Sequence, residues 1–142
     1  MPDISKWIEP VVKVVSQKVS TFFFLVTISV LASSCNGQSL PTLPPNEFSE
    51  ALKQENVILL DVRTPDEFLE GHLKGAVQID YRDKDFAEQV SELDTTKTVY
   101  VYCRSGNRSA GAQEIMLKQN FKNVINLKGG IVARQKAGLP IE

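Results

Sequence analysis

From Pro44 onward, apolar residues fall into short runs separated by polar, turn-forming breaks, and the spacing within each run predicts its element. Pro44 and Pro45 suit the entry to a helix, and Phe48, Ala51 and Leu52 then give an i, i+3, i+4 face. Val57-Ile58-Leu59-Leu60-Asp61-Val62 is a continuous apolar, β-branched run, which reads as a strand buried on both faces. The alternation continues with a short helix at Pro65–Glu70, a strand at Ala76–Ile79, a helix at Asp85–Leu93 and a strand at Thr98–Cys103. A helix from about Arg108 to Gln119, a strand at Asn123–Leu127 and a final helical turn after Gly130 complete it.

Strands separated by helical segments of this length imply βαβ units, hence an α/β fold with helices on both faces of a parallel sheet of about five strands. Residues 43–142 form this domain. Ligands of open α/β sheets sit beyond the carboxyl ends of the strands. Asp61 and Arg63 end one strand and Cys103 ends another, so an acid, a base and a thiol are expected along one edge.

The first 35 residues follow a different pattern. Lys13 and Lys18 precede the apolar block Phe22–Leu31, and Ala32, Ser33 and Ser34 lead to Cys35, the order of an export signal. The uncharged stretch Ser20–Ser34 has 15 residues, short of the roughly 20 that a membrane-spanning helix needs. Leu31-Ala32-Ser33-Ser34-Cys35 resembles the lipobox of bacterial lipoproteins, with Ala32 standing where that pattern prefers a large aliphatic residue. The resemblance implies lipidation of Cys35, residues 36–42 acting as a linker, and a membrane-tethered protein of the bacterial cell envelope facing the periplasm or exterior. Ile4, Trp7, Ile8, Val11, Val12 and Val15 recur at helical spacing ahead of the block. Either they form an amphipathic helix on a membrane surface, or translation starts downstream of Met1.

Composition narrows the chemistry. The chain of 142 residues carries 16 basic and 17 acidic residues, without a basic stripe, so nucleic acid is not an expected partner. Two cysteines in unlike surroundings exclude a disulfide framework and a cysteine-only metal site. With His72 as the one histidine, a histidine-based metal centre or a Ser-His-Asp triad lacks material. Chemistry therefore falls to cysteine.

Cys103 closes the strand Thr98–Tyr102 and opens the loop Arg104, Ser105, Gly106, Asn107, Arg108, after which Ser109 continues into a helix. Gly106 and Asn107 tolerate positive φ, so the loop can turn its N–H groups inward as an anion-binding nest, reinforced by the helix amino terminus. Arg104 and Arg108 add positive potential, and the setting predicts a thiolate with a lowered pKa.

These residues carry a resemblance. Asp61-Val62-Arg63, Glu67-Phe68, Gly71-His72-Leu73 and Gly75–Ile79 resemble the first signature of the rhodanese-like domain. Cys103–Ser109 is similar to its active-site loop, and Asn123–Gly130 with Gly138-Leu139-Pro140 to its ending. The resemblance implies a three-layer α/β/α fold and a thiosulfate sulfurtransferase-like enzyme. Cys103 would move a sulfane sulfur from a small donor, as a persulfide, to a thiol, a protein thiol or cyanide. It implies that residues 104–109 cradle the sulfur or the donor's oxyanion, that Arg104 and Arg108 attract anionic donors, and that no metal or other cofactor is required. The loop length matches sulfurtransferases; related phosphatases and arsenate reductases carry one residue more.

Two departures from the family pattern stand out: Arg134 where a tryptophan is common, and Glu67 where two-domain thiosulfate enzymes carry an arginine. Asp61 and Arg63 are expected to hold the edge of the site, and His72, Tyr100 and Tyr102 to be structural. A non-catalytic persulfide carrier or interaction module is the alternative reading, and an oxyanion phosphatase or reductase a third.

Overall fold

The computed structural model describes residues 40–142. The expected export signal at 1–35, Cys35, and most of the linker at 36–42 lie outside the described residues. Five strands, β1 (Thr42–Leu43), β2 (Val57–Asp61), β3 (Val77–Gln78), β4 (Thr98–Tyr102) and β5 (Asn123–Leu127), form one sheet in the order β1-β5-β4-β2-β3. Every pairing is parallel. The helices between them are α1 (Pro45–Ala51), α2 (Pro65–Leu69), α3 (Phe86–Ser91), α4 (Asn107–Lys118) and α5 (Gly130–Lys136).

Strands β2 and β4 are buried on both faces, as their continuous apolar runs require. On one face Leu60, Val62, Val99, Val101 and Cys103 pack with Phe86 and Val90 of α3 and Ala112 and Met116 of α4. On the other, Leu59, Tyr100 and Tyr102 pack with Phe48 of α1 and Ile131 of α5. The result is the expected α/β/α layering. Among the described residues no helix is long and apolar enough to cross a membrane.

Most element ends differ from the sequence reading by a residue or two, and three differences change the picture. Thr42, the last residue of the expected linker, already pairs with Asn126 in β1, and the Pro41 carbonyl accepts from the Asn126 N–H at 3.0 Å. A two-residue strand has no periodicity to read. Helix α4 starts at Asn107 rather than Arg108, because Gly106 takes the left-handed turn alone, at φ 101°. The final helical turn extends to the seven residues of α5.

Candidate active site

The β2–β4 register sets Asp61 beside Tyr102, so both strands end at one level and Cys103 leaves the sheet there. Its side chain is 1% exposed, held under the turn that Gly106 makes into α4. The Gly106 N–H donates to Cys103 Sγ at 3.1 Å, and Ser109 Oγ lies 3.4 Å from the same sulfur. Burial pushes the thiol up, but the Ser109 hydroxyl and the N–H groups of Ser109, Gly106 and Ser105 outweigh it, leaving the pKa below its ordinary value.

The sequence reading credited inward N–H groups, the helix amino terminus and the charges of Arg104 and Arg108; the N–H groups of the loop and helix start act at the sulfur, whereas the arginines do not lead. Arg108 is engaged elsewhere. Its Nη1 and Nη2 donate to Glu67 Oε2 and Oε1, both at 2.7 Å. Cys103 helps to keep the Arg108 guanidinium charged, but after Glu67 in importance. Hydrogen bonds from the loop therefore dominate at the sulfur, and the arginine charge is largely spent on a carboxylate.

Ser109 is fully buried, and its single hydroxyl proton has three acceptors in reach: Asn126 Oδ1 at 2.7 Å, Gly106 O at 3.1 Å and the sulfur. Asn126 Nδ2 in turn donates to Gly106 O at 3.1 Å, tying β5 to the turn. Spacing along the chain gave no sign of this contact between Asn126 and the loop.

Glu67 also closes a capping box on α2. Thr64 Oγ1 accepts from the Glu67 N–H, and the Glu67 carboxylate accepts from the Thr64 N–H at 3.2 Å. The Thr64-x-x-Glu67 spacing was a readable capping signature, although its partner on α4 was not. Arg108 draws the Glu67 carboxyl down to about 2, with the Thr64 hydrogen bonds adding to its effect.

Asp61 and Arg63 form a buried pair: Arg63 Nη2 donates to Asp61 Oδ2 at 2.6 Å, and the Arg63 N–H donates to Asp61 Oδ1 at 2.9 Å. Arg63 Nη2 also donates to Gly71 O at 2.8 Å, bracing the segment after α2. His72 stacks on Phe68 with ring centroids 3.7 Å apart and lies 3.7 Å from the Glu142 carboxylate; these are contacts away from the cysteine loop.

On the opposite side, α5 caps the loop's carbonyls. The N–H groups of Ile131 and Val132 donate to Cys103 O at 2.9 Å and Arg104 O at 3.2 Å. This close approach needs Gly130, at φ 62°, because a Cβ there would run into Cys103 O and the Arg104 carbonyl. Arg104, Ser105 and Asn107 are exposed around the rim. Arg134, at the departure from the family pattern, is 9% exposed and donates through Nε to Pro140 O at 3.0 Å and through Nη1 to Ser49 Oγ at 2.5 Å.

A parallel α/β sheet with a cysteine at a strand end, wrapped by a short loop of inward N–H groups that opens a helix, defines a cysteine-loop protein suited to holding an anion or an anionic sulfur. Residues 44–137 match the family model for the rhodanese-like domain, and the chain belongs to that family. It is 39% identical over 98 residues to a sulfurtransferase of Allochromatium vinosum, a match covering 66% of this chain and 90% of that protein. It is also 39% identical over 93 residues to the tRNA uridine(34) hydroxylase of Cytophaga hutchinsonii, covering 63% of this chain but 30% of that protein. The crystal structure of a rhodanese-related protein from Thermoplasma volcanium superposes with a TM-score of 0.62 at 26% identity, covering 72% of this chain and 97% of that one.

Proposed function

We propose that this protein is a sulfurtransferase in which Cys103 carries sulfane sulfur as a persulfide. The observation that carries the reading is the hydrogen-bonded Cys103 sulfur itself, whose thiol pKa lies below the ordinary value despite burial. Its likeness to a protein named sulfurtransferase, over nearly the whole of that protein, supports the same reading.

With thiosulfate as donor, the Cys103 thiolate attacks the outer sulfur, a new S–S bond forms at Sγ, the donor's S–S bond breaks and sulfite leaves with its electron pair. The N–H groups of Ser105, Gly106 and Ser109 hold the terminal sulfur of the resulting persulfide anion. An acceptor thiolate, or cyanide, then attacks that sulfur and returns Cys103 as thiolate. Asp61 and Arg63 hold the edge of the site without touching the reacting atoms.

Incubation with thiosulfate and cyanide, followed by intact mass and thiocyanate release, tests this. The expected result is a one-sulfur mass gain that Cys103→Ser abolishes, together with thiocyanate. A mass gain without turnover would assign the carrier role, and phosphate-ester hydrolysis without any mass gain would assign the oxyanion chemistry.

We propose further that Cys35 is lipidated and that the domain works at a membrane surface outside the cytoplasm, on the strength of the signal-like pattern ending at Leu31–Cys35. Mass spectrometry of the mature amino terminus tests it: an acylated Cys35 is expected, and an unmodified Cys35 following an intact Ser34 overturns it.

A further inference from the structure

Ser109 has one hydroxyl proton to give, and the Cys103 sulfur is not its nearest acceptor. Its Oγ lies 2.7 Å from Asn126 Oδ1, 3.1 Å from Gly106 O and 3.4 Å from Cys103 Sγ. Ser109 is 0% and Asn126 6% exposed, so water offers these groups little competition. Which end of the Asn126 amide meets the hydroxyl follows from chemistry. The other end lies 3.1 Å from Gly106 O, a carbonyl that can only accept, so Nδ2 must face that oxygen and Oδ1 must face Ser109. Strand β5 holds the amide in place: the Asn126 N–H donates to Pro41 O at 3.0 Å, and its register partners are Thr42 on β1 and Val101 on β4.

We infer that Asn126 is a positioning residue for the nucleophile: its amide oxygen competes with Cys103 Sγ for the Ser109 proton, which turns to the sulfur only when the thiolate forms. While Cys103 is a thiol, Ser109 donates to Asn126 and can accept the S–H. Once the thiolate forms, the same proton serves the sulfur. Among the described residues no other donor bonds Asn126 Oδ1, so the buried oxygen then lacks a partner, a penalty that the thiol does not carry. Asn126 thereby holds the thiolate less stable than the loop would make it alone, and a less stabilised thiolate is the stronger nucleophile.

The charges around the sulfur are paired or turned outward. Arg63 is held by Asp61 on β2, and Arg108 by Glu67, with Asp80 also near Arg108. Arg134 of α5 donates to Pro140 O and Ser49 Oγ, while Arg104, Glu88 of α3 and Glu114 of α4 are exposed. Strand β5 brings no charge of its own. The contest for the Ser109 proton is therefore among neutral groups and the sulfur.

The inference rests on Cys103 being the nucleophile of the proposed reaction, and alkylation by iodoacetamide tests it without any sulfur donor. A failure of sulfur transfer would appear in thiosulfate loading instead. The full chain is alkylated across pH and Cys103 is read by peptide mass, in Asn126→Ala and in Asn126→Leu, which fills the space with an apolar side chain. Gly106 O keeps the Ala110 N–H in both. Each variant is expected to lower the midpoint, raising the acid constant about fivefold, and to slow the limiting thiolate rate about twofold. If Asn126 only anchors the Gly106 turn, the midpoint rises instead, because the Gly106 N–H loses its aim at the sulfur. In a Ser109→Ala background the Asn126→Ala shift is expected to vanish, since the contested proton is gone. An unmoved or raised midpoint in both single variants, or a fall that persists without the Ser109 hydroxyl, overturns the inference.

Discussion

Glu67 and Arg108, 41 residues apart in sequence, face each other through two parallel hydrogen bonds of 2.7 Å each. The pair joins the first turn of α2 to the first turn of α4, so it fixes the distance between the two elements that border the cysteine loop. It is also the reason that the loop's second arginine does little for the thiolate.

The pair makes stability depend on pH in a defined window. The Glu67 carboxyl is lowered from an ordinary value of 4.5 to about 2. A depressed carboxyl stabilises the fold fully above its unfolded value, and that contribution is lost as pH falls from about 4.5 through 2. Urea midpoints of the wild type should therefore drop across this window more steeply than those of Glu67→Gln. Glu67→Ala, which removes the capping box as well, should cost about 2 kcal/mol at neutral pH. Parallel pH profiles for wild type and Glu67→Gln would show that the pair contributes nothing.

The source of the lowered Cys103 pKa gives a second prediction. If hydrogen bonds dominate, Ser109→Ala should raise the pH midpoint of Cys103 alkylation by about one unit, the worth of one bond to a charged acceptor. Arg104→Gln should move it far less. A larger shift for Arg104→Gln than for Ser109→Ala would restore the charge-based account.

Much of this architecture was readable from the chain, and the reasons are local. Val57–Val62 and Thr98–Tyr102 are apolar without interruption, which is how a strand covered on both faces must read, and Gly106 marks the turn where positive φ is needed. The unread parts are contacts between distant segments. Asn126 looks like any polar residue late in a strand, yet it hydrogen-bonds Ser109 and Gly106. Arg108 looked free because Glu67 lies on another helix. Periodicity assigns an element and a face, but it does not say which side chain on one element will spend the charge of another.

Tyr102, expected only to pack, also satisfies a backbone donor: its hydroxyl accepts from the Leu73 N–H at 3.0 Å, and the residue is fully buried. Burial, with Asp61 adding, raises its phenol far above the ordinary range, so the hydroxyl stays protonated throughout the folded range. Tyr102→Phe leaves the Leu73 N–H buried and unpaired, with an expected loss of about 2 kcal/mol. Hydrogen exchange at Leu73 should accelerate with it, and an unchanged urea midpoint would mean that water replaces the phenol.

Gly130 and Gly75 separate backbone strain from steric intrusion at the site. Both have positive φ, 62° and 80°, so a side chain at either position is strained by about 1 kcal/mol. Around Gly75 nothing lies within 4 Å of a built Cβ, whereas at Gly130 it would strike the carbonyls of Cys103 and Arg104. Those are the carbonyls that the N–H groups of Ile131 and Val132 hold, so relief requires α5 to retreat from the loop or the loop to shift. Gly75→Ala should therefore cost only the strain and leave the Cys103 alkylation profile in place. Gly130→Ala should cost about 3 kcal/mol or more and move the alkylation midpoint upward as the N–H groups lose their aim at the sulfur. Equal effects of the two substitutions on stability, with the Cys103 profile unmoved by either, would show that the packing of α5 against the loop does not position the thiolate.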